Sequence, residues 1–334
     1  MGSPAVTDGR LLVVGELCVD LIIEIDDDIR FGQHEQIVPR TTLTMGSSSA
    51  ITACGAAALG TPTRLVSVRG DDTFGVFLEA ELAGRGVDTG SVRVDATVPT
   101  GASTHLTRPS GDRAILTSMG SIGTVRASDV TAEDLRAASH LHMGSYFLQH
   151  SLHADAPVLF RDARAAGLTT SLDGNFDPAE RWDCGILDLL PHVDVFFGNE
   201  EELTGVTGAI GLDEAVVRAL DLMPTGAVVV AKLGGDGAVA ASRSDGDTSF
   251  VHAGVPPMTG ELVDTVGAGD TLAAGFLTGL LQGMSIDAAL RLAVACGTAS
   301  TRGSGGVGAQ PDRVTAAALA DRVRSASVSS IATR

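Results

Sequence analysis

Lysine is nearly missing from this 334-residue chain, which holds 23 Lys and Arg residues but only one lysine, Lys232. A Walker phosphate loop needs Gly-Lys-Ser or Gly-Lys-Thr, and Lys232 stands between Ala231 and Leu233, so that loop is excluded. A protein kinase is excluded as well, because no His-Arg-Asp segment accompanies a strand lysine. The first apolar run leads into Gly15-Glu16-Leu17 and not Gly-x-Gly, so the dinucleotide fingerprint is absent too. Positive charge is scarce overall. With 41 Asp and Glu the net charge is −18, the wrong sign for a nucleic-acid partner. Cysteine is sparse: Cys18, Cys54, Cys184 and Cys296 form no Cys-x-x-Cys pair and read as buried thiols in a reducing compartment. No apolar run approaches the about 20 residues of a membrane span. Leu11 to Ile25 is interrupted by Glu16 and Asp20, which is unlike a signal peptide. The expectation is a cytoplasmic protein with no membrane partner.

What is present in quantity is apolar: 44% of residues are hydrophobic, enough for a sizeable core. One stretch stands out, Asp264-Thr265-Val266-Gly267-Ala268-Gly269-Asp270, followed by Leu272, Phe276 and Leu280 four residues apart. That spacing predicts a helix with one buried face, opened by the turn Gly267-Ala268-Gly269. A helix N-terminus offers unpaired N–H groups and partial positive charge, and small residues let a phosphate oxygen approach the backbone. Asp270 in the first turn fits two readings. It is an ordinary helix-start carboxylate, or it is the base of a phosphoryl transfer to a hydroxyl, with the turn stabilising the transferred group.

Asp264-Thr265-Val266-Gly267-Ala268-Gly269-Asp270-Thr271 resembles the C-terminal signature of the ribokinase-like (PfkB) carbohydrate kinases. The resemblance spans roughly residues 11 to 325 and implies an α/β fold. That fold is a three-layer sandwich, a mostly parallel central sheet flanked by helices, with a small β lid. It also implies that Asp270 is the catalytic base and that Gly267, Ala268 and Gly269 are the anion hole. Thr265 falls on the ATP side. Asp264 and the carbonyl of Val266 sit where the family binds K⁺.

Other segments extend the resemblance. Leu11 to Val14 reads as a strand buried on both faces, and Asp20 beyond it matches a position that grips sugar hydroxyls, or simply ends a strand. Gly46-Ser47-Ser48-Ser49, continuing to Gly60, reads as a Ser-capped helix. Gly46 and Ser47 resemble the family's glycine motif, with Ser47 replacing a Gly and Ile51 an Asn that contacts sugar. The lysine that ribose and phosphosugar kinases often carry is Ser48 here, which disfavours those substrates. Gly70 to Gly75 and Gly84 to Asp88 match a structural segment, with Asp71 and Asp72 as cap and turn residues.

Strands are expected near 139–143, 169–173, 193–197 and 226–231, alternating with helices. Ligands gather at strand C-terminal ends in such sheets, which makes Asp173 and Asn175 site candidates. The family's Arg two positions past that Asn is Asp177, with Arg181 displaced. Asn199 and Glu202 fit an Asn-x-x-Glu that organises Mg²⁺ and its waters, or alternatively a Glu-rich helix start. Lys232, Gly234 and Gly237 fall at ATP-contact positions, although a strand-end Lys reaching solvent is nearly as good a reading of Lys232. Helices are expected over Ala288 to Thr301 and Val314 to Val323.

The core is expected over 10–25, 46–96 and 119–328. The lid, carrying a hairpin turned at Pro109 to Asp112, is expected over 26–45 and 97–118, and in this family it often serves as a homodimer surface. The function implied is ATP- and Mg²⁺-dependent phosphorylation of a primary hydroxyl on a small sugar or sugar acid, such as fructose or 2-keto-3-deoxygluconate. A nucleoside kinase is the alternative within enzymes, and a non-catalytic sugar sensor the alternative outside them. The region around Asp20 lacks the basic cluster that a phosphosugar would need.

Overall fold

Leu11, Leu12, Val13 and Val14 are all fully buried, as a strand covered by helices on both faces requires. The computed structural model describes residues 9–331 other than positions 111 and 245. The lead-in before Gly9, the Gly of the 109–112 turn and the last three residues lie outside the described residues.

Fourteen strands are described: β1 (Leu11–Val14), β2 (Cys18–Glu24), β3 (Arg40–Met45), β4 (Thr63–Gly70), β5 (Asp88–Asp95), β6 (Gly101–Thr107), β7 (Arg113–Ser118), β8 (His140–Met143), β9 (Thr169–Asp173), β10 (Val195–Asn199), β11 (Val228–Lys232), β12 (Ala238–Ser244), β13 (Asp247–Ala253) and β14 (Ser325–Val328). The α-helices are α1 (Ser48–Ala58), α2 (Thr73–Gly84), α3 (Ala132–Ala137), α4 (Ala156–Ala165), α5 (Ile186–Leu189), α6 (Glu200–Thr207), α7 (Leu212–Leu222), α8 (Ala268–Leu281), α9 (Ile286–Ser300) and α10 (Arg313–Ala320).

The main sheet has ten strands in the order β14-β13-β12-β11-β10-β9-β8-β1-β4-β5. From β11 to β5 all neighbours are parallel. Side chains alternate across it. Leu11, Val13, Phe197 and Val230 pack into one apolar layer with α1, α8 and α9, while Leu12, Val14, Phe196 and Val229 pack into a second with α4, α6 and α7. This is the expected sandwich. The four expected strands appear as β8 to β11. The ladder β12 to β14 was not expected from sequence: Ala238–Ser244 is mostly Ala and Ser, without the β-branched and aromatic enrichment that marks strands.

A second, four-stranded sheet runs in the order β3-β2-β6-β7. The hairpin β6–β7 pairs antiparallel from Ala102 with Ser118 to Thr107 with Arg113. This sheet starts earlier than the expected lid boundary. All of β2, from Cys18, belongs to it, because β2 pairs along its length with β6 and from Val19 with β3. Among the described residues, no helix is long and apolar enough to cross a membrane.

Candidate active site

The N-terminus of α8 is built around Gly267, whose φ of 70° lies in the left-handed region; a Cβ there would stand 2.6 Å from Gly306 Cα. No side chain caps this helix end, and within the turn Ala268 N donates to the Thr265 carbonyl at 3.3 Å. Gly267 and Asp270 line a large cavity of about 1170 Å³, and Ala268 and Gly269 line a smaller one of about 390 Å³. The same helix start is therefore a wall of both. Asp20, Ser47 and Asn175 face the larger cavity, and Lys232, Gly234, Gly237, Thr265 and Asn199 face the smaller.

Asp270 sits in the first turn of α8. Its Oδ1 accepts a hydrogen bond from Ser48 Oγ at 2.5 Å, and its main-chain carbonyl accepts one from Thr52 Oγ1 at 3.2 Å. Burial, then the charge of Asp173, push its pKa from 3.8 up to about 7, against the pull of Ser48 and Lys232. A carboxyl poised there can take a proton near neutral pH.

Lys232 is largely enclosed and paired, not extended into solvent. It ends β11 with its side chain 14% exposed, and its Nζ lies 3.0 Å from both oxygens of Asp173 and 3.2 Å from Glu202 Oε2. Burial alone would lower its pKa, but Asp173, Glu202 and Asp270 hold it above the ordinary lysine value. Lys232 Cδ would stand 3.3 Å from a Cβ at Gly269, so the lysine lies against the α8 turn.

Asn199 and Glu202 form a reciprocal capping box on α6: Glu202 N donates to Asn199 Oδ1 at 2.9 Å, and Asn199 N donates to Glu202 Oε2 at 2.8 Å. The helix-start reading of this pair is thus realised in the geometry. Among the described residues no cluster of three His, Cys, Asp or Glu side chains could hold a metal alone. Glu202 faces the larger cavity with Oε2 engaged, leaving Oε1 for a ligand. One carboxylate oxygen fits Mg²⁺, which keeps several waters and takes few protein ligands. Asp264 accepts from Val266 N at 3.0 Å and Gly305 N at 2.9 Å, and Arg113 Nη1 lies 4.0 Å away, so it organises the loop before α8.

Asp20 is 4% exposed. Gly46 leaves room beside it, since a Cβ there would displace the Asp20 carboxylate. Ser47 holds a φ of 76° and caps α1, accepting from Ala50 N at 3.2 Å while donating to the Glu16 carbonyl at 2.5 Å. Asn175 follows β9 with a φ of 53°, and its N–H donates to Asp173 Oδ1 at 3.3 Å.

Three features escaped the sequence reading. His105 Nε2 lies 3.4 Å from Asp20 Oδ1, and its buried Nδ1 has no hydrogen-bond partner among the described residues. Alternation along β6 puts Ser103 and His105 on one face, but only the sheet pairing shows which cavity that face meets. Arg113 and Arg181 line the cavity that holds Asp20, together with His105, His150 and His153, the last held below its ordinary pKa by burial, and with the carboxylates of Glu16, Asp177, Glu202 and Asp270. They come from distant segments, so no local cluster betrays them. Asp177 organises the loop that presents Arg181, accepting N–H bonds from Ala179, Arg181 and Trp182 at 2.9, 2.9 and 2.7 Å.

A family model described as pfkB family carbohydrate kinase matches residues 8–313. An ATP-dependent ribose-1-phosphate kinase of Halopiger xanaduensis is 30% identical over 314 residues, 94% of this chain and 99% of the relative. The 5-dehydro-2-deoxygluconokinase 1 of Bacillus cereus is 29% identical over 84% of this chain and 86% of its own length. The Arabidopsis thaliana ribokinase, solved with ribose and ATP, superposes with a TM-score of 0.78 at 25% identity, covering 93% of this chain and 98% of that one.

Proposed function

Because the chain belongs to the pfkB family of carbohydrate kinases, we propose that it transfers the γ-phosphoryl group of ATP to a primary hydroxyl of a small sugar or sugar acid in its larger cavity. The observation that carries this reading is the shared wall: the α8 turn borders both cavities and carries a buried carboxyl poised near neutrality. Asp20, Gly46, Ser47 and Asn175 hold the sugar. Gly234, Gly237 and Thr265 border the nucleotide, and Lys232 sets a charge beside the α8 turn. The acceptor oxygen forms a bond to the γ-phosphorus as the bond to the ADP oxygen breaks, and the hydroxyl proton passes to Asp270. The N–H groups of Gly267, Ala268 and Gly269 meet the charge on the transferred group. Glu202, its carboxylate fixed by Asn199, would hold Mg²⁺ through water, and the ion would neutralise part of the phosphate charge. Asp264 and the Val266 carbonyl are the candidate K⁺ position.

Two things favour an acceptor that carries an anionic group. Arg113 and Arg181 line the cavity, shared with the carboxylates of Glu16, Asp20, Asp177, Glu202 and Asp270, so an anionic group would be met by those two guanidiniums. The names of two relatives also carry a ribose phosphate and a deoxygluconate. A nucleoside is the second reading, favoured by the cavity's size and by Phe147, Leu148 and Phe176 in its lining. The test is ADP release over a panel of ribose, fructose, 2-keto-3-deoxygluconate, ribose 1-phosphate, adenosine and inosine. Turnover of a sugar or sugar acid supports the proposal, turnover of nucleosides alone replaces it, and silence across the panel returns the sensor reading. Asp270→Asn should lower turnover about 10²-fold or more while ATP still binds; full activity in that variant removes the base assignment.

A further inference from the structure

Two hydroxyls reach Asp270 from α1, one turn apart on a single face. Ser48 Oγ donates to Oδ1 at 2.5 Å, and Thr52 Oγ1 donates to the Asp270 carbonyl at 3.2 Å. The first pins the carboxylate and the second pins the backbone that carries it. Ser48 is 6% exposed and opens α1, so its position is set by the helix. Its Oγ also lies 3.5 Å from Asn175 Oδ1, but a hydroxyl has one proton, and the shorter contact assigns that proton to Asp270. The bond is not needed to cap α1, since Ser47 does that through Ala50 N.

We infer that Ser48 is a positioning residue of the transfer: it holds Asp270 Oδ1 so that Oδ2 is left to take the proton of the acceptor hydroxyl. This rests on Asp270 being the base. A carboxylate free to rotate would spend much of its time out of line with the acceptor, and small misplacements of reacting groups are expensive in rate. Losing the restraint therefore lowers kcat without weakening either substrate.

The experiment compares wild type, Ser48→Ala, Ser48→Thr and Asp270→Asn with the acceptor identified by the panel above. Ser48→Ala is expected to lower kcat about 10- to 100-fold, with KM for sugar and ATP each within about twofold. Ser48→Thr, which keeps the hydroxyl, is expected to recover most of that loss. A Ser48→Ala enzyme with wild-type kcat overturns the inference, and so does a rise in sugar KM at unchanged kcat, which would make Ser48 a substrate contact. If Ser48→Ala does not fold, Ser48→Cys is measured in its place, keeping the size and weakening the donor, and a wild-type kcat there has the same force. An active Asp270→Asn overturns the base assignment first, which separates the two failures.

Discussion

Ionising Asp270 costs the folded protein free energy, because burial and the neighbouring Asp173 both oppose its charged form. Its pKa rises from 3.8 in the unfolded chain to about 7 on folding. The folded state thus keeps a proton that the unfolded state has released, and stability falls as pH climbs between those values. Asp270→Asn should melt higher than wild type at pH 8 and show little difference near pH 4, which a pair of thermal scans would reveal. As a base the group must be ionised. The rate should therefore fall with unit slope below about pH 7 and level off above it, in a plot of log kcat/KM against pH. His105 makes a different prediction. Because its buried Nδ1 has no partner among the described residues and its Nε2 faces Asp20, His105→Ala should raise sugar KM about tenfold and leave ATP KM alone. The two residues also differ in legibility. Asp270 is visible in sequence through its neighbours Gly267 to Gly269, whereas His105 is one polar residue in an alternating strand, and its meaning comes from pairing with β2.

The start of α8 depends on backbone conformation more than on side chains. A residue other than Gly at 267 meets both a left-handed φ and the Gly306 backbone. Gly267→Ala should thus cost at least about 1–2 kcal/mol, visible as a lower denaturant midpoint, and should weaken transfer as the turn shifts. Helices with strong punctuation could be located from sequence to within a few residues. Ser47 before α1, Asn199 before α6 and Ser285 before α9 all cap through their side chains. Elements without such marks were harder to find. α10, capped by Asp312 through Thr315 N, starts within one residue of the expected Val314 but ends, with no such mark, at Ala320 and not Val323, and β14 pairs with β13 through a four-residue segment of Ser, Ala and Val with no period of its own. The capping box on α6 shows a further limit. The same Asn-x-x-Glu spacing serves a helix start and a metal-organising carboxylate, and the geometry makes the first explicit while leaving an oxygen for the second.

At the scale of the molecule, the fold was readable because β1, β10 and β11 are short, mainly apolar runs, with the buried but more polar β8 and β9 among them, alternating with helices as a covered parallel sheet requires. The contents of the larger cavity were not readable. Its walls come from the second sheet, the loop after β9 and the start of α8, and no local pattern records that meeting. The second sheet leaves Leu43 and Leu116 43% and 61% exposed on the face turned away from the larger cavity. If that surface is shared by two copies, light scattering at micromolar concentration should give twice the 34.0 kDa chain mass, and Leu116→Glu should return the monomer value. Lys232 brings these scales together. It is the chain's sole lysine, and it lies against the turn where the two cavities meet. Protein grown on isotope-enriched lysine would therefore give a single side-chain resonance, with no assignment to make, from a built-in reporter of each substrate's arrival.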